Sequence, residues 1–162
     1  GAGLLLHGSP VGYMNAIANG AKGCAGIIIQ FPLYAGIMAI MVAAGLMGTV
    51  TDFFVTMGSQ ETIPLLTMLS AGVVNLFVPS GGGQWAIQAP IAIESGLQSG
   101  VSQGTMVMAV AYGDQLTNML QPFWALPLLA ITGVRARDIV GYTAIIMVIA
   151  GIWMGIGLLV FG

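Results

Sequence analysis

The sequence predicts an all-α integral membrane protein of spanning helices, a re-entrant helical hairpin and a discontinuous helix. Three observations carry that expectation. Three basic and five acidic residues are the only charges in 162, 5% of the chain against ~25% in soluble proteins. Hydrophobic residues make up 57% and mean hydropathy is +0.98, so a water-facing globule could not cover its surface. Glycine occurs 25 times, about twice its usual ~7%, which suits close helix packing in lipid or backbone that leaves the helix at a site. The same numbers exclude other classes. Three basic residues give no electrostatic footprint for nucleic acid, and disorder needs low hydrophobicity. Cys24 is the one cysteine, so neither an internal disulfide nor a cysteine metal cluster is expected.

The charges fall at Lys22, Asp52, Glu61, Glu94, Asp114, Arg135, Arg137 and Asp138, and the intervals between them set the elements. Residues 1–23 mix small, polar and apolar residues around His7, Pro10 and Asn15, and read as a loop with a short interfacial helix. Residues 26–48 form an uncharged apolar run long enough to span, since ~20 residues cross a ~30 Å core. Residues 62–98 do not fit a simple span. Thr62 and Pro64 can start a helix, and Pro79-Ser80-Gly81-Gly82-Gly83 should stop it. A second arm is expected from about Gln84 to Leu97. Arms of ~24 Å and ~21 Å are short of a crossing, which reads as a re-entrant hairpin with its tip at membrane depth. Residues 102–133 would be ~48 Å long as one helix. The polar stretch from Gly113 to Asn118, then Pro122 and Pro127, predicts a broken span: a helix to about Tyr112, an irregular middle, and a helix from about Pro122 to Ile131. Residues 139–161 are a second plain span, with a Gly151-to-Gly155 step for close helix approach. With this topology all three basic residues share the cytoplasmic side and Asp52, Glu61 and Glu94 face outward. The chain reads as a single membrane domain, 1–162. It opens Gly-Ala-Gly without a basic, cleavable leader, so it is expected to be part of a longer polypeptide.

Two segments collect the polar groups that should lie deep in the membrane: Asn75 to Trp85 with Gln88, and Gly113 to Pro122. Such groups need partners or water there. At each break one half-helix ends in free carbonyls and the next begins with free N–H groups. The starts near Gln84 and Asn118–Pro122 suit a carboxylate, with Ser80, Gly81, Gly82 and Gly83 adding donors at close approach. The ends near Val78 and Gly113, with Asn75 and Asp114, suit a cation or proton. An acid inside the membrane is functional by default, although Asp114 could instead be paired to a structural donor. Sodium is as compatible with Asn75 and Asp114 as a proton is. The glycine tract alone would be an ordinary surface loop, and Thr117 and Asn118 could simply cap a helix. Trp85, Phe123 and Trp124 suit packing or interfacial anchoring. An enzyme is not expected: a hydrolase built on Ser80 would need a nearby base, and the single histidine, His7, lies elsewhere.

These residues carry a resemblance. Asn75-Leu-Phe-Val-Pro-Ser-Gly-Gly-Gly-Gln-Trp85 with Gln88-Ala-Pro90, and Gly113-Asp-Gln-Leu-Thr-Asn118 with Gln121-Pro-Phe-Trp124, resemble the bacterial short-chain fatty acid transporter family. Gly3-Leu-Leu-Leu-His-Gly8 and Gln30-Phe-Pro-Leu-Tyr-Ala-Gly36 are similar to it too. The resemblance implies the C-terminal part of a longer transporter, half of an inverted-repeat architecture, in the bacterial cytoplasmic (inner) membrane. It implies secondary active uptake of butyrate- or acetoacetate-like monocarboxylates with H⁺ or Na⁺ and no other cofactor. Ser80, Gly81, Gly82, Gly83, Gln84, Thr117 and Asn118 would then bind the substrate, and Asn75 and Asp114 the coupling ion. The expected partners are the substrate, the lipid bilayer, the N-terminal half of the same polypeptide and a second copy in a homodimer. The alternative is a non-transporting membrane module packed against a partner chain.

Overall fold

The computed structural model describes residues 1–121 and 125–162, and every regular element among them is helical. The N-terminal stretch is more regular than expected. It forms α1 (Ala2–Leu6) and α2 (Pro10–Lys22), neither of which buries a residue. The reason is local. The Ser9 hydroxyl accepts from the Gly12 N–H at 3.0 Å, and Pro10 takes the first helical position, where its missing N–H costs nothing.

The apolar run 26–48 is not one straight span. It divides into α3 (Ala25–Ala43) and α4 (Leu46–Thr56), and the part of α3 from Phe31 to Ala43 meets α4 at a bend of 62°. Gly45 turns the chain with φ of 65°, a left-handed conformation that favours glycine, and its N–H closes on the Val42 carbonyl at 3.0 Å. Apolar residues on both sides of Gly45 conceal this break in a reading of hydropathy.

Next come α5 (Ile63–Phe77) and α6 (Gly81–Gln98), joined through Val78 to Ser80. They form an antiparallel hairpin: Gln84 reaches back to Ala71, Gln88 to Ser70, and Ala92 packs in one cluster with Ile63 and Ala71. The arms are ~22 Å and ~27 Å long. The second arm starts earlier than expected, because the three glycines occupy its first turn. First-turn N–H groups have no intrahelical acceptor in any case, and the Ser80 hydroxyl caps the turn by accepting from the Gly83 N–H at 3.2 Å.

Helix α7 (Gln103–Asn118) runs straight through Gly113, Asp114 and Gln115. The irregular middle expected from Gly113 to Asn118 is therefore helical, and the break comes after Asn118. Gly113 is there for packing rather than for a bend. A Cβ on it would collide with the Met68 carbonyl and lie 2.6 Å from the Ala71 Cβ and 2.8 Å from the Gly72 nitrogen. Helices α5 and α7 thus meet backbone to backbone, and they run parallel, Met68 facing Gly113 and Gly72 facing Thr117. Residues 122–124 lie outside the described residues, and with them the expected start at Pro122 and the expected anchors Phe123 and Trp124. Helix α8 (Leu126–Thr132) follows and ends at Gly133 in the left-handed region.

Helix α9 (Ala136–Phe161) has 26 residues, ~39 Å, one turn more than the expected 139–161. Among the described residues it alone is long and apolar enough to cross a membrane unaided. Arg135 and Asp138 pair at its start at 2.8 Å. Helix α9 packs antiparallel to α7: Gly151 lies against Leu116, and Leu158 shares a cluster with Ala109 and Met68. Its other faces are apolar and exposed, as at Ile145, Ile149 and Trp153, which fits lipid or a further membrane segment as neighbour. Since Gly151 is near the midpoint of α9, the C-terminal end of α7 lies level with the middle of that helix.

Candidate functional site

The parallel run of α5 and α7 brings both breaks to one level. Three helix ends converge there: the carbonyl ends of α5 and α7, and the N–H end of α6. The carbonyl ends carry partial negative charge and the N–H end partial positive charge.

Asn75, fully buried near the end of α5, ties the elements together. Its amide nitrogen lies 2.9 Å from the Asp114 carbonyl, 2.9 Å from the Thr117 hydroxyl and 3.0 Å from the Asn118 Oδ1, three acceptors that share its two hydrogens. Thr117 passes its own proton back to the Gly72 carbonyl at 3.0 Å. Gln121 donates to the Asn75 and Leu76 carbonyls at 3.1 and 2.9 Å, which caps the last turn of α5. A second buried chain holds the hairpin arms: Gln84 donates to the Ala71 carbonyl at 2.8 Å and to Gln88 at 2.9 Å, and Gln88 donates to the Ser70 hydroxyl at 2.7 Å. Gln84, Gln88 and Ser70 are all buried. This second chain predicts that Gln84→Leu, which leaves two acceptors without their donor, destabilises the fold by ~1–3 kcal/mol. Thermal unfolding of the full-length protein in detergent measures this, and an unchanged melting point would remove Gln84 as a strut.

Acceptors are left over around the breaks. Asn75 Oδ1, Asp114 Oδ1, Gln84 Oε1 and Gln121 Oε1 are buried without a hydrogen-bond donor among the described residues. Buried oxygens in that state are costly unless something positive meets them. Asp114 has a further relation to the hairpin. Its Oδ2 lies 3.6 Å from where a Cβ would stand on Gly81, beside the start of α6. The Gly81 and Gly82 N–H groups have no acceptor inside that helix. A Cβ on Gly82 would meet nothing within 4 Å.

The structure therefore brings Asn75, Ser80, Gly81, Asp114, Thr117 and Asn118 to one region, and sorts them by role. Ser80, Gly81 and Gly82 are exposed at the tip, while Gln84 has both amide hydrogens engaged inside the hairpin. Thr117 and Asn118 close α7 rather than open a helix, so the backbone there presents carbonyls and not the N–H groups expected from the sequence. Only the Asn118 amide nitrogen is left to donate. Ser70 and Gln121 were not singled out in the sequence. Gln121 stands inside the quoted motif and its capping role depends on α5, a contact 45 and 46 residues distant.

The family model described as "Short chain fatty acid transporter" matches residues 2–161. A protein of Escherichia coli (strain K12) named "Putative short-chain fatty acid transporter" is 48% identical over 160 residues, 99% of this chain and 36% of its own length. One of the same name from Haemophilus influenzae is 49% identical over 140 residues, 86% of this chain and 31% of its own length. The chain thus spans about a third of the length of these curated relatives and corresponds to their C-terminal part. No solved structure matches it. The family is one of transporters and not of enzymes, and the chain belongs to the short-chain fatty acid transporter family.

Proposed function

We propose that the chain is the C-terminal part of a secondary active transporter that moves short-chain monocarboxylates across the bacterial cytoplasmic membrane with H⁺ or Na⁺. The observation that carries this reading is the convergence of three helix ends, two of carbonyls and one of N–H groups, at mid-depth of α9 beside Asp114. Discontinuous helices meeting near the bilayer midplane are how secondary transporters build their sites. In this reading α5–α6 is a re-entrant hairpin, and α7 and α8 are the two halves of one span. Lys22, Arg135 and Arg137 face the cytoplasm. The remainder of the polypeptide supplies the matching repeat.

The substrate carboxylate sits at the start of α6, receiving the Gly81 and Gly82 N–H groups, the Ser80 hydroxyl and the Asn118 amide. Gly83 contributes through its small size, and Gln84 and Thr117 hold the frame. The coupling ion occupies the side rich in unpaired oxygens, against Asp114 and Asn75. The two sites are linked by charge. An ionised Asp114 and a substrate carboxylate would both face the positive end of α6. Two unit charges ~5 Å apart repel by ~3 kcal/mol at an effective dielectric of ~20. A proton or sodium ion on Asp114 removes that repulsion, so substrate and ion bind together.

The test is butyrate uptake by the full-length protein in proteoliposomes. An imposed inward proton or sodium gradient should drive accumulation above equilibrium. Uptake indifferent to both gradients, or none, would contradict the proposal.

A further inference from the structure

Beside the tip lies a partly enclosed cavity of ≈160 Å³. Phe31, Tyr34, Ala35 and Met38 of α3 line one wall, and Val78 and Pro79 of the break line the other. Ser80, the cap of α6, stands at its polar edge. Met38 also reaches the first turn of α6, its sulfur 3.4 Å from a Cβ built on Gly83. The cavity is therefore apolar and begins where the proposed carboxylate site ends. Its size matters too: with ~30 Å³ for a water-sized group, it holds about five methylene-sized groups.

Resting on the function proposed above, we propose that this cavity takes the acyl tail of the substrate and that Ala35 and Met38 set the chain length accepted. A carboxylate held by the first turn of α6 directs its alkyl end away from the N–H groups. The wall formed by α3, whose Met38 reaches the first turn of α6, offers it an apolar surface. A three-carbon tail fits with room to spare, and a tail of eight or more carbons does not. Side chains that project across α3 one turn apart, as Ala35 and Met38 do at i and i+3, tune the depth without touching the polar groups.

The test compares chain-length profiles of full-length wild type, Ala35→Leu and Met38→Ala in proteoliposomes, using competition of acetate, butyrate and octanoate with labelled butyrate or acetate. Ala35→Leu should lower the butyrate-to-acetate preference about tenfold. Met38→Ala should raise the octanoate-to-butyrate preference by a similar factor, since a seven-carbon tail exceeds the wild-type cavity. The two shifts run in opposite directions, and each is a ratio within one protein, so a loss of folded material cannot imitate them. Butyrate transport by the wild type with unchanged profiles in both variants would overturn the cavity assignment alone. Absence of short-chain acid transport in the wild type would overturn the functional reading beneath it.

Discussion

Asp114→Asn should abolish gradient-driven butyrate accumulation while leaving butyrate exchange intact. The substitution keeps the shape and an acceptor oxygen but removes the charge that shares the α6 N-terminus with the substrate. A repulsion of ~3 kcal/mol corresponds to on the order of a hundredfold in affinity. Wild-type protein should gain affinity for butyrate by about that factor when the coupling ion is supplied, and the Asp114→Asn protein should show almost no such gain. Counterflow of labelled butyrate against unlabelled butyrate separates exchange from accumulation. Accumulation at the wild-type level by Asp114→Asn protein would end the coupling role of this residue.

The second large effect is structural. Gly113→Ala should unseat α7 from α5, because the added methyl meets the Met68 carbonyl and lies within 2.8 Å of the Gly72 nitrogen. Backbone on both sides leaves no flexible side chain to yield. Overpacking costs ~1–3 kcal/mol where neighbours adjust, and here the loss should reach about 3 kcal/mol or more, roughly 3 °C or more in the melting temperature of a chain about three times as long. Gly72→Ala provides the comparison at the same interface. Its methyl would meet the Thr117 Cγ2 at 3.3 Å, a contact relieved by a few tenths of an ångström. Thermal unfolding of the two full-length variants in detergent should therefore differ. Equal melting points would mean that α5 and α7 do not meet backbone to backbone. Since Asn75, Thr117 and Asn118 bridge that same interface, the site should be lost with the packing.

Much of this was legible in the sequence, and the particular failures have physical causes. The hairpin was visible because Pro79 and three glycines interrupt an apolar stretch too short on either side to cross. Asn75, Asp114 and Asn118 stood out because polar groups inside apolar helices need partners. What the sequence could not reveal was which glycines bend the chain and which admit a neighbour. Gly45 turns the backbone at φ 65° inside a run that looks continuous. Gly113 leaves α7 straight and serves α5, and Gly81 to Gly83 begin a helix instead of ending one. These roles are set by tertiary contacts, or by the position of a cap such as Ser80, and hydropathy carries neither. The hydrogen bonds of Gln84 and Gln121 were hidden for the same reason: their acceptors at Ala71, Asn75 and Leu76 lie on another helix, α5.

The carboxylate site proposed at the tip of the hairpin is open to chemical labelling at Gly82. A side chain at Gly82 meets nothing within 4 Å, so Gly82→Cys in full-length protein otherwise free of cysteine should fold normally. The measurement is the rate at which a small thiol reagent labels that cysteine, with Asn19→Cys in exposed α2 as the control. Saturating butyrate with the coupling ion present should slow labelling at position 82 at least several-fold and leave position 19 unchanged. Labelling of Gly82→Cys at the same rate with and without butyrate, in protein that still transports it, would place the substrate away from the start of α6.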